Sequence, residues 1–311
     1  MKTKKRWKKD DTELTLLALP SVVWFVLFLY LPMIGLLIAF KGYRVFAGHG
    51  FVYNLIHSDW VGLKNFEFLF KSNNITIFLR NTLGYNAIFI ILGMVIPIAF
   101  AIMLSMLRNR FASKLYQTIM FFPHFLSWVV VAYFLFAFLS TEKGILNNII
   151  AAFGGERVQW YSQAKYWPFI LVFMQVWKTV GYSTVIYLAS ITAIDGSLYE
   201  AAVIDGATKW QQTKYITIPS LTSIAIIMFL LNVGRMFYSD FGLFYQLTQR
   251  IPGSLYNVAS TLDTYVYAAL QGNTPVGMTA AATFFQSVAC AVTILIANGI
   301  VRKIDPESAL I

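Results

Sequence analysis

Lys178 and Arg235 each stand inside a long apolar stretch, 167–192 and 219–239, where an ionised side chain is costly and is expected to face protein or a water-filled path. At 1.5 Å per residue, Lys178 lies roughly 17 Å along its stretch and Arg235 roughly 24 Å along its own. Helical spacing brings Gln175, Lys178 and Tyr182 onto one face and Asn232, Arg235 and Ser239 onto another. With Trp177, Tyr238 and Tyr245 nearby, these stripes offer hydrogen-bond donors and aromatic faces to a polar solute crossing a membrane. A second reading stands beside it: the stripes hold a partner subunit or each other's helix, and the aromatics belong to the core or the interface belt. His124, Ser127 and Trp128, after Pro123, form a weaker group, read as a helix kink with a locally satisfied histidine. Thr283, Gln286, Ser287 and Cys290 share one side of the last apolar run, as small polar residues do where helices pack closely.

Catalysis finds little support. The chain has no Gly-x-x-x-x-Gly-Lys-Ser/Thr phosphate loop, no His-Glu-x-x-His, no Cys-x-x-Cys and no Gly-x-Ser-x-Gly. His49, His57 and His124 are scattered, so neither a metal site nor a resident cofactor is expected. The single cysteine, Cys290, forms no intrachain disulfide and reads as a small core residue.

The elements that must position these residues are membrane helices. With 58% hydrophobic and 12% charged residues and a mean hydropathy of +0.64, the chain is not an ordinary soluble domain. Apolar runs at 14–40, 83–107, 118–140, 167–192, 219–239 and 279–301 are each long enough for a helix across about 30 Å of hydrocarbon. The expected fold is all-α, a polytopic transmembrane bundle of six spans. Lys2, Lys4, Lys5, Arg6, Lys8 and Lys9 precede the first span, Arg108, Arg110 and Lys114 lie between the second and third, and Arg302 and Lys303 follow the last. This bias places both termini in the cytoplasm. It also accounts for the net charge of +10 without nucleic acid. The run Lys4–Lys9 with Trp7 is an orientation signal that can also touch anionic lipid, and residues 14–40 are too long for a cleavable signal peptide.

The expected organisation is a basic tail (1–13), a first helix with an ordered external cap (14–82), a five-helix core (83–303) and a short tail (304–311). Within 241–278, residues 254–270 read as a short amphipathic helix on the outer surface. On the cytoplasmic side lies Glu200-Ala201-Ala202-Val203-Ile204-Asp205-Gly206, followed by Ile216-Thr217-Ile218-Pro219. Ser197 and Glu200 have capping-box spacing, Gly206 suits a bend, and Pro219 suits the start of the next helix. Such a helix–turn–helix is shaped to dock on another protein.

The spacing Glu-Ala-Ala, Gly206 and Ile-x-Ile-Pro resembles the EAA loop of permease subunits of ATP-binding-cassette importers, with Ile218 where that family more often has Leu. Tyr187-Leu188-Ala189-Ser190 and Ala207 are similar to maltose-type sugar permeases. Trp60-Val61-Gly62-Leu63-Lys64-Asn65-Phe66, Asn81-Thr82-Leu83, Asp263-Thr264-Tyr265-Val266-Tyr267 and Val301-Arg302-Lys303-Ile304-Asp305-Pro306 extend the likeness to the LplB-like polysaccharide branch. The resemblance implies a MetI-like permease core in a bacterial plasma membrane, importing an oligosaccharide. By it, Glu200, Ala201, Ala202, Asp205, Gly206, Ile216 and Pro219, within a loop spanning 197–219, couple to an ATPase. It implies a second homologous permease subunit, two cytoplasmic ATPase subunits that carry ATP and Mg, and an extracellular sugar-binding protein. Two rivals remain: a membrane-embedded enzyme acting on lipid-linked sugar, and a secondary transporter. The first wants acidic or metal-binding groups near the bilayer and the second an intramembrane carboxylate, whereas Asp240 is a lone acid at the end of a span.

Overall fold

The computed structural model describes residues 9–71, 73–272 and 274–309. The tail residues Lys2 to Lys8 lie outside them. Among the described residues the helices of seven residues or more are, in chain order, α1 (Thr12–Phe40), α2 (Phe51–His57), α3 (Asn74–Ser105), α4 (Arg110–Phe125), α5 (Trp128–Leu139), α6 (Ile145–Ala152), α7 (Ala164–Thr192), α8 (Gly196–Ile204), α9 (Lys209–Ser220), α10 (Thr222–Val233), α11 (Leu262–Gln271) and α12 (Val276–Ile304). Four of them, α1, α3, α7 and α12, are continuous and apolar enough to cross a membrane. The third and fifth apolar runs are instead broken: α4 and α5 meet at 101°, α9 and α10 at 52°. Counting each bent pair once gives six spans.

The chain divides into two compact units. The first comprises residues up to Lys71 together with Gly272–Phe284. Within it α1 exposes nearly all its side chains, as befits a helix solvated by lipid. The segment after α1 is ordered by a two-residue ribbon, β1 (Lys41–Gly42) against β2 (Asp59–Trp60). The Lys41 ammonium donates to the carbonyls of Leu55, Ile56 and Ser58 at 2.6, 3.2 and 3.2 Å, satisfying the end of α2. Asn65 donates to the carbonyls of Ala39 and Lys41, and Gly277 packs so closely that a Cβ would fall 2.5 Å from the Asn65 amide.

The second unit, Ser72–Gln271 and Phe285–Ile311, holds two apolar cores. One gathers Val131, Trp167, Leu171, Leu243, Phe244 and Leu255; the other gathers Ala101, Leu104, Tyr187, Leu188 and Leu221. Helices α3 and α7 form its most extensive helix pairing. Helix α3 begins well before residue 83, where the apolar run starts, because Arg80, Asn81 and Thr82 have work outside the apolar stretch. Arg80 and Asn81 donate to the carbonyls of Asn257 and Ser260, and Thr82 accepts from the Leu262 amide. Residues 254–270 are therefore not one helix: a short helix, Tyr256–Ala259, is broken from α11 at Ser260 and Thr261, and its inner face is held by the core. Leu255, Ala259 and Leu262 are fully buried, drawn in by these bonds and by the Tyr85 hydroxyl on the Val258 carbonyl.

Candidate functional site

The segment 195–220 is two short helices joined by a glycine turn. The cap of α8 is Asp195, whose carboxylate accepts from the Ser197 amide at 3.0 Å, so Ser197 is inside the helix and is not the cap its spacing suggested. That bond holds the Asp195 carboxyl below its ordinary range. The helix ends in a Schellman arrangement: Ala207 donates to Ala202 O at 2.8 Å and Gly206 to Val203 O at 3.1 Å, with Gly206 at φ +76°. The capping box belongs to α9, where Thr208 and Gln211 cap each other. Pro219 does not open the span. It sits near the end of α9 after a π turn, Thr213–Thr217, and the chain bends beyond it. A proline N–H is missing from the helix ladder there, and the wider turn absorbs the mismatch.

Glu200, Ala201, Asp205, Gly206 and Pro219 are exposed, while Ala202 and Ile216 are half-buried. Around the acids stand Leu198, Val203, Ile204 and Trp210, with Ile204 86% and Trp210 71% exposed. An apolar patch of this kind on a polar loop is suited to a protein contact. The Tyr199 hydroxyl lies 2.9 Å from Thr217 Oγ1, tying α8 to the π turn above a cavity of ≈ 430 Å³.

The first break is built around Lys178. After Pro123 the chain leaves α4 in a tight turn, and Ser127 caps α5 by accepting from the Val130 amide. The Lys178 ammonium donates to His124 O at 2.9 Å and Leu126 O at 2.7 Å, two carbonyls that the broken helix leaves without partners. It also lies 5.3 Å from the Trp128 ring, whose N–H donates to Asp240 Oδ2 at 2.7 Å. Asp240 Oδ1 in turn accepts from Gly242 and Leu243. One turn along α7, Gly181 lets two backbones touch, since a Cβ there would fall 1.9 Å from Met120 O. Tyr182 stacks on His124 at 4.8 Å. His124, Ser127, Trp128, Lys178, Thr179 and Asp240 surround a cavity of ≈ 250 Å³. Gln175 shares this helix face, with its Oε1 buried and unbonded among the described residues. Trp177 points into an apolar wall.

The other polar stripe is not a helical face. Helix α10 ends at Val233, where Gly234 follows and packs against Ile294, so Arg235, Tyr238 and Ser239 lie beyond it. Asn232 bonds back to Met228 O, and the Tyr238 hydroxyl lies 2.8 Å from Ser287 Oγ. Asn86 donates to the carbonyls of Met236 and Tyr238, and Asp263 receives the Ser239 amide at 2.6 Å and its hydroxyl at 2.8 Å. Gln286 donates to Phe237 O and to the same carboxylate. Arg235 is exposed, and its guanidinium has no hydrogen bond or ion pair among the described residues.

Residues 93–306 match the family described as binding-protein-dependent transport system inner membrane component. This chain belongs to that family. The permease is 34% identical over 294 residues to the polygalacturonan/rhamnogalacturonan transport system permease protein YteP of Bacillus subtilis, covering 94% of this chain and 89% of that one. It is 32% identical to the protein LplB of the same organism over 96% of this chain and 91% of the relative. Its fold is similar to a chain in the crystal structure of a bacterial importer of the acidic polysaccharide alginate, with a TM-score of 0.84, 32% identity and coverage of 96% and 97%. A second structure of an alginate transporter, in complex with an alginate pentasaccharide-bound periplasmic protein, matches with a TM-score of 0.83. The permease is thus a multi-pass protein of the bacterial plasma membrane with a MetI-like fold, and its family is one of transporters rather than enzymes.

In this permease Gln175, Lys178 and Tyr182 do share a face, and Lys178 and Tyr182 converge on His124. Asn232, Arg235, Tyr238 and Ser239 are dispersed over a helix end and the segment after it. Sequence reasoning did not find Asn86, Trp128 as the donor to Asp240, or Asp263 as the acceptor for Ser239. Asn86 alone left a signal, as an amide in the middle of an apolar run. Among the described residues no three His, Cys, Asp or Glu side chains gather as a metal cage would require.

Proposed function

We propose that this permease is one of two homologous subunits of an ATP-binding-cassette importer that carries an acidic oligosaccharide inward by alternating access. Of two cytoplasmic ATPases, which bind ATP and Mg, one docks on the loop 195–220 and the other on the equivalent loop of the second permease subunit, and an extracellular sugar-binding protein delivers the substrate. The observation that carries this reading is that loop: exposed Leu198, Val203, Ile204 and Trp210 around Glu200 and Asp205, held in shape by Gly206. ATP-driven closure of the ATPases moves the loop and, through α9, the spans beyond it.

The names of the relatives support a saccharide cargo, and those naming polygalacturonan and alginate favour an acidic one. Arg235, exposed and without an internal acceptor, supplies a cation for a carboxylate. Lys178 spends two of its donors on carbonyls, so its direct part in the path is to contribute charge and one remaining N–H. Gln175, Tyr182, Asn232 and Tyr238 add polar or aromatic contacts, while Trp177 and Ser239 act through packing and through Asp263.

The test is ATP hydrolysis by the reconstituted complex with its binding protein. Oligogalacturonates should stimulate it more than neutral oligosaccharides of equal length, and Arg235→Gln should erase the difference. Equal stimulation by both classes in the unmodified complex refutes the acidic cargo. Nucleotide binding by this subunit alone refutes the division of labour.

A further inference from the structure

A groove of ≈ 680 Å³ opens along α5 and the first half of α7, lined throughout by aliphatic and aromatic side chains, among them Leu126, Phe134, Phe138, Leu146, Phe169 and Trp177. It is open to the surroundings: Phe134 is 56% and Phe169 78% exposed. Such a lining does not hold water, because it offers water no partners. From Phe169 to Trp177 the groove runs about 12 Å along α7. That is close to the roughly 15 Å depth of one leaflet of hydrocarbon.

The mouth and floor differ. At the mouth, Lys143 lies in the turn between Leu139 and Leu146, and Lys165 lies one turn before Phe169. Arg157 is anchored on the Glu142 carbonyl at 3.0 Å. With Glu142 and Glu156 the rim keeps a net positive charge, and Trp160 and Tyr166 add the aromatics favoured at an interface. At the floor, Phe122 and Leu126 belong to the turn whose carbonyls Lys178 holds.

We propose that one acyl chain of a bilayer phospholipid occupies this groove, its phosphate at the Lys143, Arg157 and Lys165 rim and its methyl end against Trp177. A groove that is apolar, open to the surroundings, close to one leaflet long and basic at one end fits a lipid better than a protein ridge. The chain then supports the broken span from the side opposite Lys178.

The experiment uses the intact transporter in native membranes and a phospholipid carrying a photoreactive diazirine at its acyl terminus. Labelling should concentrate several-fold in peptides 122–139 and 167–177 relative to α1, which exposes its apolar side chains all round. Leu135→Trp, which fills the groove, should reduce that labelling while α1 stays unchanged; if this variant fails to assemble, the unmodified protein still decides. Labelling no greater than that of α1 overturns the proposal. So does cross-linking of a Phe169→Cys, Cys290→Ala variant to the second permease subunit, since the groove is then a protein interface.

Discussion

Replacing Lys178 by Met keeps the apolar stem and removes the ammonium from the turn between α4 and α5. Two hydrogen bonds from a charged donor are lost, each worth about 1.5–3 kcal/mol, or about 3–6 kcal/mol together. Against this, an ionised group leaves an apolar span, a relief of about 3 kcal/mol. The turn is therefore expected to lose up to about 3 kcal/mol, which corresponds to opening up to about 150-fold more often. Val131, 1% exposed just inside α5 and bonded through its amide to Ser127 O, is the reporter. In a Val131→Cys, Cys290→Ala protein, Lys178→Met should raise the rate of alkylation in membranes by a factor in that range, lower uptake and leave membrane levels unchanged. Lys178→Arg, which keeps donors within reach, should restore most of the protection. Unchanged alkylation together with lost uptake would show that Lys178 serves the solute and not the turn, and would refute the reasoning.

Three further outcomes follow from the geometry. Gly206→Val places a β-branched side chain at φ +76°, a conformation costing about 1–2 kcal/mol for an ordinary residue; since a Cβ there meets no atom within 4 Å, the protein should reach the membrane while substrate-stimulated ATP hydrolysis and uptake both fall, and normal coupling would remove the loop from the mechanism. Gly181→Val forces α7 off the backbone of Met120 and should abolish detergent-stable protein, whereas Gly196→Ala, with open space around it, should be tolerated; equal melting temperatures for the two would contradict the close crossing. Gln249, Arg250 and Ile251 all have φ between 53° and 69°, so Arg250→Gly should raise thermal stability by relieving about 1–2 kcal/mol of strain, less about 0.5–1 kcal/mol of added chain entropy, and a lower melting temperature would show that the Arg250 side chain holds the turn.

The membrane spans were legible because lipid leaves a helix little choice: a long apolar run must satisfy its own backbone. What hydropathy averages away is where such a run breaks. Pro123 and Ser127 sit inside 118–140 and announced a kink, but a bend of 101° needs partners for the freed carbonyls, and the partner, Lys178, is more than fifty residues away. The early start of α3 was hidden for the same reason, since Arg80, Asn81 and Thr82 look unfit for a span until the segment 257–262 is seen against them. At the loop, Gly206 was read from its type alone because only the turn needs it. The cap was misassigned because Asp195 and Ser197 are both good caps two residues apart, and the choice between them rests on backbone geometry. Arg235 and Ser239 were placed on a helix that Gly234 had already ended.

The bend after Pro219 gives α9 the properties of a lever. Its twelve residues, Lys209–Ser220, make a stiff arm about 18 Å long, set at 52° to the span that follows it. A swing of about 10° at Leu221 displaces the far end of such an arm by roughly 3 Å, and a force applied at the tip arrives at the fulcrum multiplied as torque. Leu221 itself is 2% exposed and seated in the core with Tyr187 and Leu188, so the fulcrum is anchored, and through the Tyr199–Thr217 contact the arm carries α8 with it when it turns.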